Sequence, residues 1–205
     1  MRASPPLATE RVLSPEAFDA LANHPDYADK RLELIGGVLY VEDDPKAGHM
    51  PTPSYLHAYV VSLLVEVLMS YLLTNPIARL FTDNTGYRLM DGSVVIPDLS
   101  VVMTDRLQPV TANGLQTIAP DLAVEVVSPS NDPVRLSAKI GAYLAGGVRS
   151  VWVVYPESRT LDTYTAQPDG TIHYKHPAPA ETLDGGGVLA GFAVSVGRVF
   201  PPTTD

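Results

Sequence analysis

The sequence predicts an α/β fold of the mixed kind, a mixed β-sheet flanked by helices, with an N-terminal hairpin and extra C-terminal strands. Three observations predict it. Residues 121–127 form a nearly unbroken apolar run, as a central strand covered on both faces requires. A helical stretch and a second apolar run at 151–155 follow, so strand, helix and strand come in the order of a parallel crossover. Shorter strand-like runs before and after this unit are separated by Gly and Pro turns, which favours antiparallel neighbours. With 205 residues and 45% apolar content, the chain has the size of one domain with a real core. The expected organisation is an arm over 1–13, one domain over 14–200 and a tail over 201–205.

The elements follow in order. Ser14 can cap a short helix whose first position is Pro15, with Phe18 and Leu21 as its apolar contacts. Gly36-Gly37 sits between Arg31-Leu32-Glu33-Leu34-Ile35 and Val38-Leu39-Tyr40-Val41, the pattern of a β-hairpin. A polar loop over 42–53 leads into a helix over 54–73, stopped by Asn75-Pro76. Ser62, Glu66 and Ser70 make a narrow polar stripe on it, so nearly every side should be covered, by the sheet and by a second subunit. Strands are expected at 77–82, 86–90 and 94–103, with Asp91-Gly92 as a hairpin turn. Residues 104–120 read as a loop. Asp132 can cap a helix from Pro133 to about Ala145, ended by Gly146-Gly147, with Leu136-Ile140-Leu144 as its core face. A hairpin pairs 161–166 with 171–175, and strands near Val188 and Val194 are expected to close it.

Composition narrows the chemistry. There is no cysteine, which excludes disulfides, thiolate metal sites and a cysteine nucleophile, and which fits a cytoplasmic location. Any metal must be held by oxygen or imidazole, and carboxylates favour Mg2+ or Mn2+. No secretory h-region is visible at the start. The most apolar stretch, 59–73, has 15 residues and contains Glu66, short of the roughly 20 that a membrane span needs, so no membrane is expected. The net charge of −9 counts against tight, unassisted DNA binding, although a divalent ion would reverse the local field. No Walker loop, GxGxxG, HExxH or Gly-x-Ser-x-Gly pattern occurs. His173 and His176 read as surface residues.

Three residues stand out together. Glu125 lies within Leu122-Ala123-Val124-Glu125-Val126-Val127, where a carboxylate needs a partner. Asp98 follows Pro97 at the start of a strand. Lys139 lies mid-helix with Arg135 and Tyr143 one turn either side, at the border of the buried face. Each has a plainer reading alone: an ion pair, a turn aspartate, a snorkelling lysine. Two carboxylates at strand ends can share a divalent ion, while a lysine beyond them orients the attacking water, or as a neutral amine deprotonates it, and as an ammonium stabilises charge on a phosphate. Glu33, alternating with Leu32 and Leu34, and His57, in the first turns of the long helix, are supporting candidates.

At these residues the sequence resembles the Uma-two family of restriction-endonuclease-like proteins, in the PD-(D/E)XK nuclease superfamily. The resemblance rests on Leu32-Glu33-Leu34-Ile35-Gly36-Gly37, His57, Pro97-Asp98-Leu99, residues 120–125 with Val127-Ser128-Pro129-Ser130, Lys139, Tyr143 and Gly147-Val148 before Val151-Trp152-Val153-Val154. It runs from about residue 14 to residue 200. It implies a restriction-endonuclease-like core, a magnesium ion on Asp98 and Glu125 with the Val126 backbone carbonyl as a further ligand, and a homodimer. It also implies that the active-site lysine has moved: Val127 stands where the superfamily places it, and Lys139 on the following helix replaces it. Glu33, His57 and Tyr143 would support the site. The expected function is metal-dependent endonucleolytic hydrolysis of DNA. A catalytically inactive module of the same fold, binding a protein or nucleic-acid partner, is the alternative. A hydrolase of smaller phosphate esters is a third reading.

Overall fold

Pro97 divides what the sequence presents as one strand, and this break decides the architecture. The computed structural model describes residues 12–28, 30–42, 54–109, 114–129 and 131–202. Most of the expected arm, the loop at 43–53 and the end of the tail lie outside the described residues. The run at 94–103 is two strands, β5 (Val94–Val95) and β6 (Leu99–Met103), which belong to different sheets. A proline has no N–H for a ladder, so pairing stops at it and the chain changes sheet.

The first sheet holds four strands in the order β2-β1-β5-β4. β1 (Arg31–Ile35) and β2 (Val38–Glu42) form the expected hairpin, with Ile35 opposite Val38. Gly36 and Gly37 turn it at φ +56° and +83°, a two-residue turn that needs positive φ at both positions. β4 (Tyr87–Arg88) returns through Asp91-Gly92 into β5. Helix α1 (Pro15–Ala22), capped by the Ser14 hydroxyl accepting from the Ala17 N–H, closes over this sheet through Phe18, beside Leu32, Leu34 and Val94.

The second sheet is six-stranded and mixed, in the order β10-β9-β8-β7-β6-β3. β3 (Ala78–Thr82), β6 and β7 (Leu122–Val126) are antiparallel neighbours. β7 and β8 (Ser150–Tyr155) are parallel, joined through α3 (Pro133–Ala145), as the strand–helix–strand order predicts. β9 (Thr160–Ala166) and β10 (Ile172–Lys175) add the late hairpin. Its expected closure by strands near Val188 and Val194 differs. Val194 lies in β12 (Ala193–Ser195), which pairs with β11 (Thr182–Asp184) in a separate two-stranded sheet, and Val188 is a buried loop residue.

The two faces of the six-stranded sheet are buried differently. Leu99, Val101, Leu122, Val124, Trp152 and Val154 meet helix α2 (Tyr55–Thr74). Ala123, Val151 and Val153 meet α3. α2 has 20 residues, the expected length shifted by one position, and is long and apolar enough to cross a membrane by those two criteria. Its inner face, Val60, Leu64, Val67, Leu68 and Leu72, packs into the core. It is not covered on every side: Tyr55 and Leu73 are exposed together with Ser62, Glu66 and Ser70. α3 is also turned from the expected orientation. Its buried residues are Lys139, Ala142 and Tyr143, while Leu136, Ile140 and Leu144 are half-buried.

One buried charge anchors the end of the sheet far from that break. Asp121 is fully buried and accepts from Arg106 Nη1 at 2.5 Å, Arg149 Nη1 at 3.3 Å and the Met103 N–H at 2.9 Å. Asp121→Ala leaves the Met103 N–H without its acceptor, whereas both arginines can turn to water. The expected loss is about 2 kcal/mol, seen as a lower urea midpoint at unchanged slope. A midpoint equal to the wild type's would show that Asp121 is not an anchor.

Candidate functional site

The site forms where the two sheets part. Leu99 opposite Val124 is the last pair between β6 and β7 toward Pro97. Beyond it the Val126 N–H has no strand partner on the β6 side, and it donates to Asp98 Oδ2 at 2.7 Å. Asp98 thereby stays tied to β7 after its own strand has ended. His57 enters from the first turn of α2, its Nε2 lying 3.5 Å from Asp98 Oδ1. The Ser54 hydroxyl starts this turn by accepting the His57 backbone N–H.

Glu125 alternates with Ala123 and so faces α3. There Lys139 Nζ lies 2.9 Å from Glu125 Oε1, and the Tyr143 hydroxyl donates to the same oxygen at 2.5 Å. Lys139 is also 2.9 Å from Glu33 Oε1 and donates to the Ile96 carbonyl at 3.1 Å. Its three N–H donors thus have three acceptors. Glu33, 2% exposed, accepts from the Ile96 N–H at 2.6 Å through Oε1 and from Arg135 Nη2 at 2.6 Å through Oε2. The Arg135 guanidinium lies 4.9 Å from the centre of the Tyr40 ring. Arg31 Nη2 donates to the Ile96 carbonyl at 2.9 Å. The Ile96 peptide therefore ties β1, α3 and the Pro97-Asp98 turn together.

The charges are unevenly compensated. Burial would raise the Glu33 carboxyl, but the Lys139 charge, the Ile96 N–H and Arg135 outweigh it and hold Glu33 below its usual range. Burial of Asp98 is likewise outweighed, first by His57, and its pKa is lowered. His57 is raised in turn, chiefly by Asp98. Glu125 is the carboxylate left short. Burial pushes it up to about 7; Lys139 opposes this, while Asp98 and Glu33 add to it. Lys139 would be lowered by burial, but Glu125 and Glu33 together raise it, so it stays an ammonium. Burial and the neighbouring carboxylate raise Tyr143 well above its ordinary value, so it remains a donor.

A family model named Uma2, described as "Putative restriction endonuclease", matches residues 15–197. The chain belongs to the Uma2 family. Its fold is also that of a crystal structure titled as a "putative nuclease belonging to DUF820" from Anabaena variabilis. The two share 22% identity at a TM-score of 0.70, over 91% of this chain and 97% of that one. At that identity the likeness is one of fold. No curated protein matches the chain.

Within this Uma2 fold, Asp98, Glu125, Lys139, Glu33, His57 and Tyr143 lie in one continuous network of contacts, although 110 positions of chain separate Glu33 from Tyr143. The donor set fits a hard divalent ion. Both protein contacts of Glu125 use Oε1, so Oε2 is open to a ligand. Oδ2 of Asp98 is tied to Val126, and Oδ1 faces His57 Nε2 at 3.5 Å, a contact an ion would share. Among the described residues, no three carboxylates or imidazoles converge as a metal cage. Two carboxylates completed by water and phosphate oxygens are a usual magnesium arrangement. The network also contains groups that sequence reasoning passed over. Arg135 shares the four-residue spacing of Lys139 and Tyr143, and that spacing was the available signal. The Ile96 backbone gave none.

Proposed function

We propose that this chain is a metal-dependent endonuclease that hydrolyses phosphodiester bonds of DNA. Mg2+, or Mn2+, would be held by Asp98 and Glu125, with the Val126 carbonyl as a further ligand. The reading is supported above all by the Lys139 ammonium, buried at 2.9 Å from Glu125 in a Uma2 chain whose expected lysine position holds Val127. When bound, the ion would supply a Lewis acid for the phosphate and acidify a water.

The residues divide the remaining work. Lys139, as a persistent ammonium, does not take a proton from water. It positions the attacking water and stabilises charge developing on the phosphate. Its contact to the Ile96 carbonyl is the longest of its three, and this is the one a water replaces. Glu33 and Arg135 hold the ammonium in place. Tyr143 fixes the rotamer of Glu125 through Oε1, leaving Oε2 for the ion. His57, whose pKa Asp98 raises, is placed to donate to a phosphate oxygen.

The test is a nicking assay on supercoiled plasmid with Mg2+ or Mn2+. Wild-type protein is expected to nick; Asp98→Ala and Glu125→Ala are expected to reduce the rate by at least about a thousandfold. Cutting that survives both substitutions would place the chemistry elsewhere. No cutting under any metal, with no heat of metal binding in calorimetry, would replace this reading with an inactive nuclease-fold module.

A further inference from the structure

A second polar group stands on the same face of the sheet as Glu125. In register, Glu125 lies beside Val153, and Val153 beside Asp162. Thr163 opposite Lys175 carries the row on, so that His176 falls beside Asp162 at the open edge. Residues level across neighbouring strands point to one face. Here it is the face of α3, since Val153 packs in the cluster that contains Ala142 and Tyr143.

Asp162 is buried, and its Oδ1 gathers donors. The Tyr174 hydroxyl donates to it at 3.0 Å, and His176 Nδ1 lies 2.6 Å away. The Tyr155 hydroxyl also bonds to Asp162. The His176 side chain is 51% exposed. Among the described residues its outer nitrogen, Nε2, has no partner. A carboxylate on Nδ1 fixes the ring and its tautomer, so Nε2 faces outward in a set direction. A purely structural partner for Asp162 would not need an imidazole turned half into solvent.

We propose that Asp162 and His176 form a phosphate-binding subsite that holds the nucleic-acid strand several nucleotides from the bond that is cut. This rests on the nuclease reading above. Strands stand roughly 4.8 Å apart, so three steps put His176 about 15 Å from Glu125 along the sheet. A strand carries one phosphate per roughly 3.4 Å of duplex axis, which makes the offset about four nucleotides. The site needs such a contact. Lys139 and Arg135 are held by Glu33 and Glu125, and the chain carries a net charge of −9. An imidazole anchored by Asp162 offers the substrate, when protonated, an outward N–H donor at the rim without adding a cation to the metal site.

Binding separates this subsite from a structural role. The probes are a short labelled duplex and its single strand, in Ca2+ to hold the complex before cleavage, at about pH 7, where Glu125 is partly ionised and imidazoles still carry part of their charge. His176→Ala is expected to weaken binding about 5- to 10-fold at low salt and to reduce the slope of log K against log salt by about 1. His176→Arg is expected to restore both, with thermal midpoints of both variants unchanged. Wild-type affinity and slope in His176→Ala would overturn the subsite while leaving the nuclease reading standing. Asp98→Ala that still cuts would place the chemistry away from Asp98, while a loss of binding in His176→Ala would still support the phosphate contact. A wild-type protein that binds neither probe would overturn both.

Discussion

Glu33→Ala is expected to lower stability by about 3–5 kcal/mol, the range for breaking a buried ion pair by removing one partner. Glu33 is 2% exposed and faces two cations, Arg135 at 2.6 Å and Lys139 at 2.9 Å, besides the Ile96 N–H. Removing it leaves an ammonium buried against Glu125 alone, together with a guanidinium and a peptide N–H that have lost their acceptor. The depressed pKa sets the sign of the pH dependence. The contribution of Glu33 is full above its ordinary value of 4.5 and is lost as pH falls through its lower folded value. The wild-type and variant stabilities should therefore converge in acid. A double-mutant cycle checks the cause: with Lys139→Met already present, Glu33→Ala should cost much less, because there is no longer a second cation to strand. Additive costs in chemical denaturation would rule out the coupling between β1 and α3.

Glu125 behaves in the opposite sense, and a divalent ion should reverse it. Its folded pKa of about 7 lies above the ordinary 4.5, so the folded chain holds a proton that the unfolded chain has released. Its contribution to stability is present below 4.5, falls between 4.5 and about 7, and amounts to about 3 kcal/mol in all. Above that window the ionised carboxylate, which Lys139 compensates only in part, is ready for a second cation. Millimolar Mg2+ is accordingly expected to raise the melting temperature clearly at about pH 8 and barely at about pH 5, because ligand deprotonation precedes binding. Glu125→Gln has no charge to lose, so it should flatten the pH profile across the window and abolish the Mg2+ effect. The same Mg2+ shift at both pH values, or in the variant, would remove Glu125 from the metal site.

Much of the fold could be read from the chain because its signals are local. Ser14 and Asp132 before prolines mark helix starts, Gly36-Gly37 marks a hairpin, and residues 121–127 mark a central strand. What could not be read depends on partners far along the chain. Val94 to Met103 reads as one apolar strand-like run, and the pairing of Val94 with Leu34 in another sheet shows that Pro97 ends it. The turn of α3 was misjudged for a similar reason. Leu136, Ile140 and Leu144 look like the inner stripe until Glu33 and Glu125 are seen to draw Lys139 inward. Candidate site residues were legible by type, an acid in an apolar strand above all. His176 looked like an ordinary surface residue because its partner, Asp162, lies across a strand pairing rather than a helical turn.

The Ile96 peptide joins the two sheets, and this has a consequence for synthesis. Its N–H is held by Glu33 and its carbonyl by Lys139, so the acid of the first hairpin and the amine of the third helix meet on the backbone of one residue. A chain still on the ribosome that has emerged only through Asp98 has neither Glu125 nor Lys139, and it cannot complete that junction. The candidate site is therefore complete only once translation has passed the third helix.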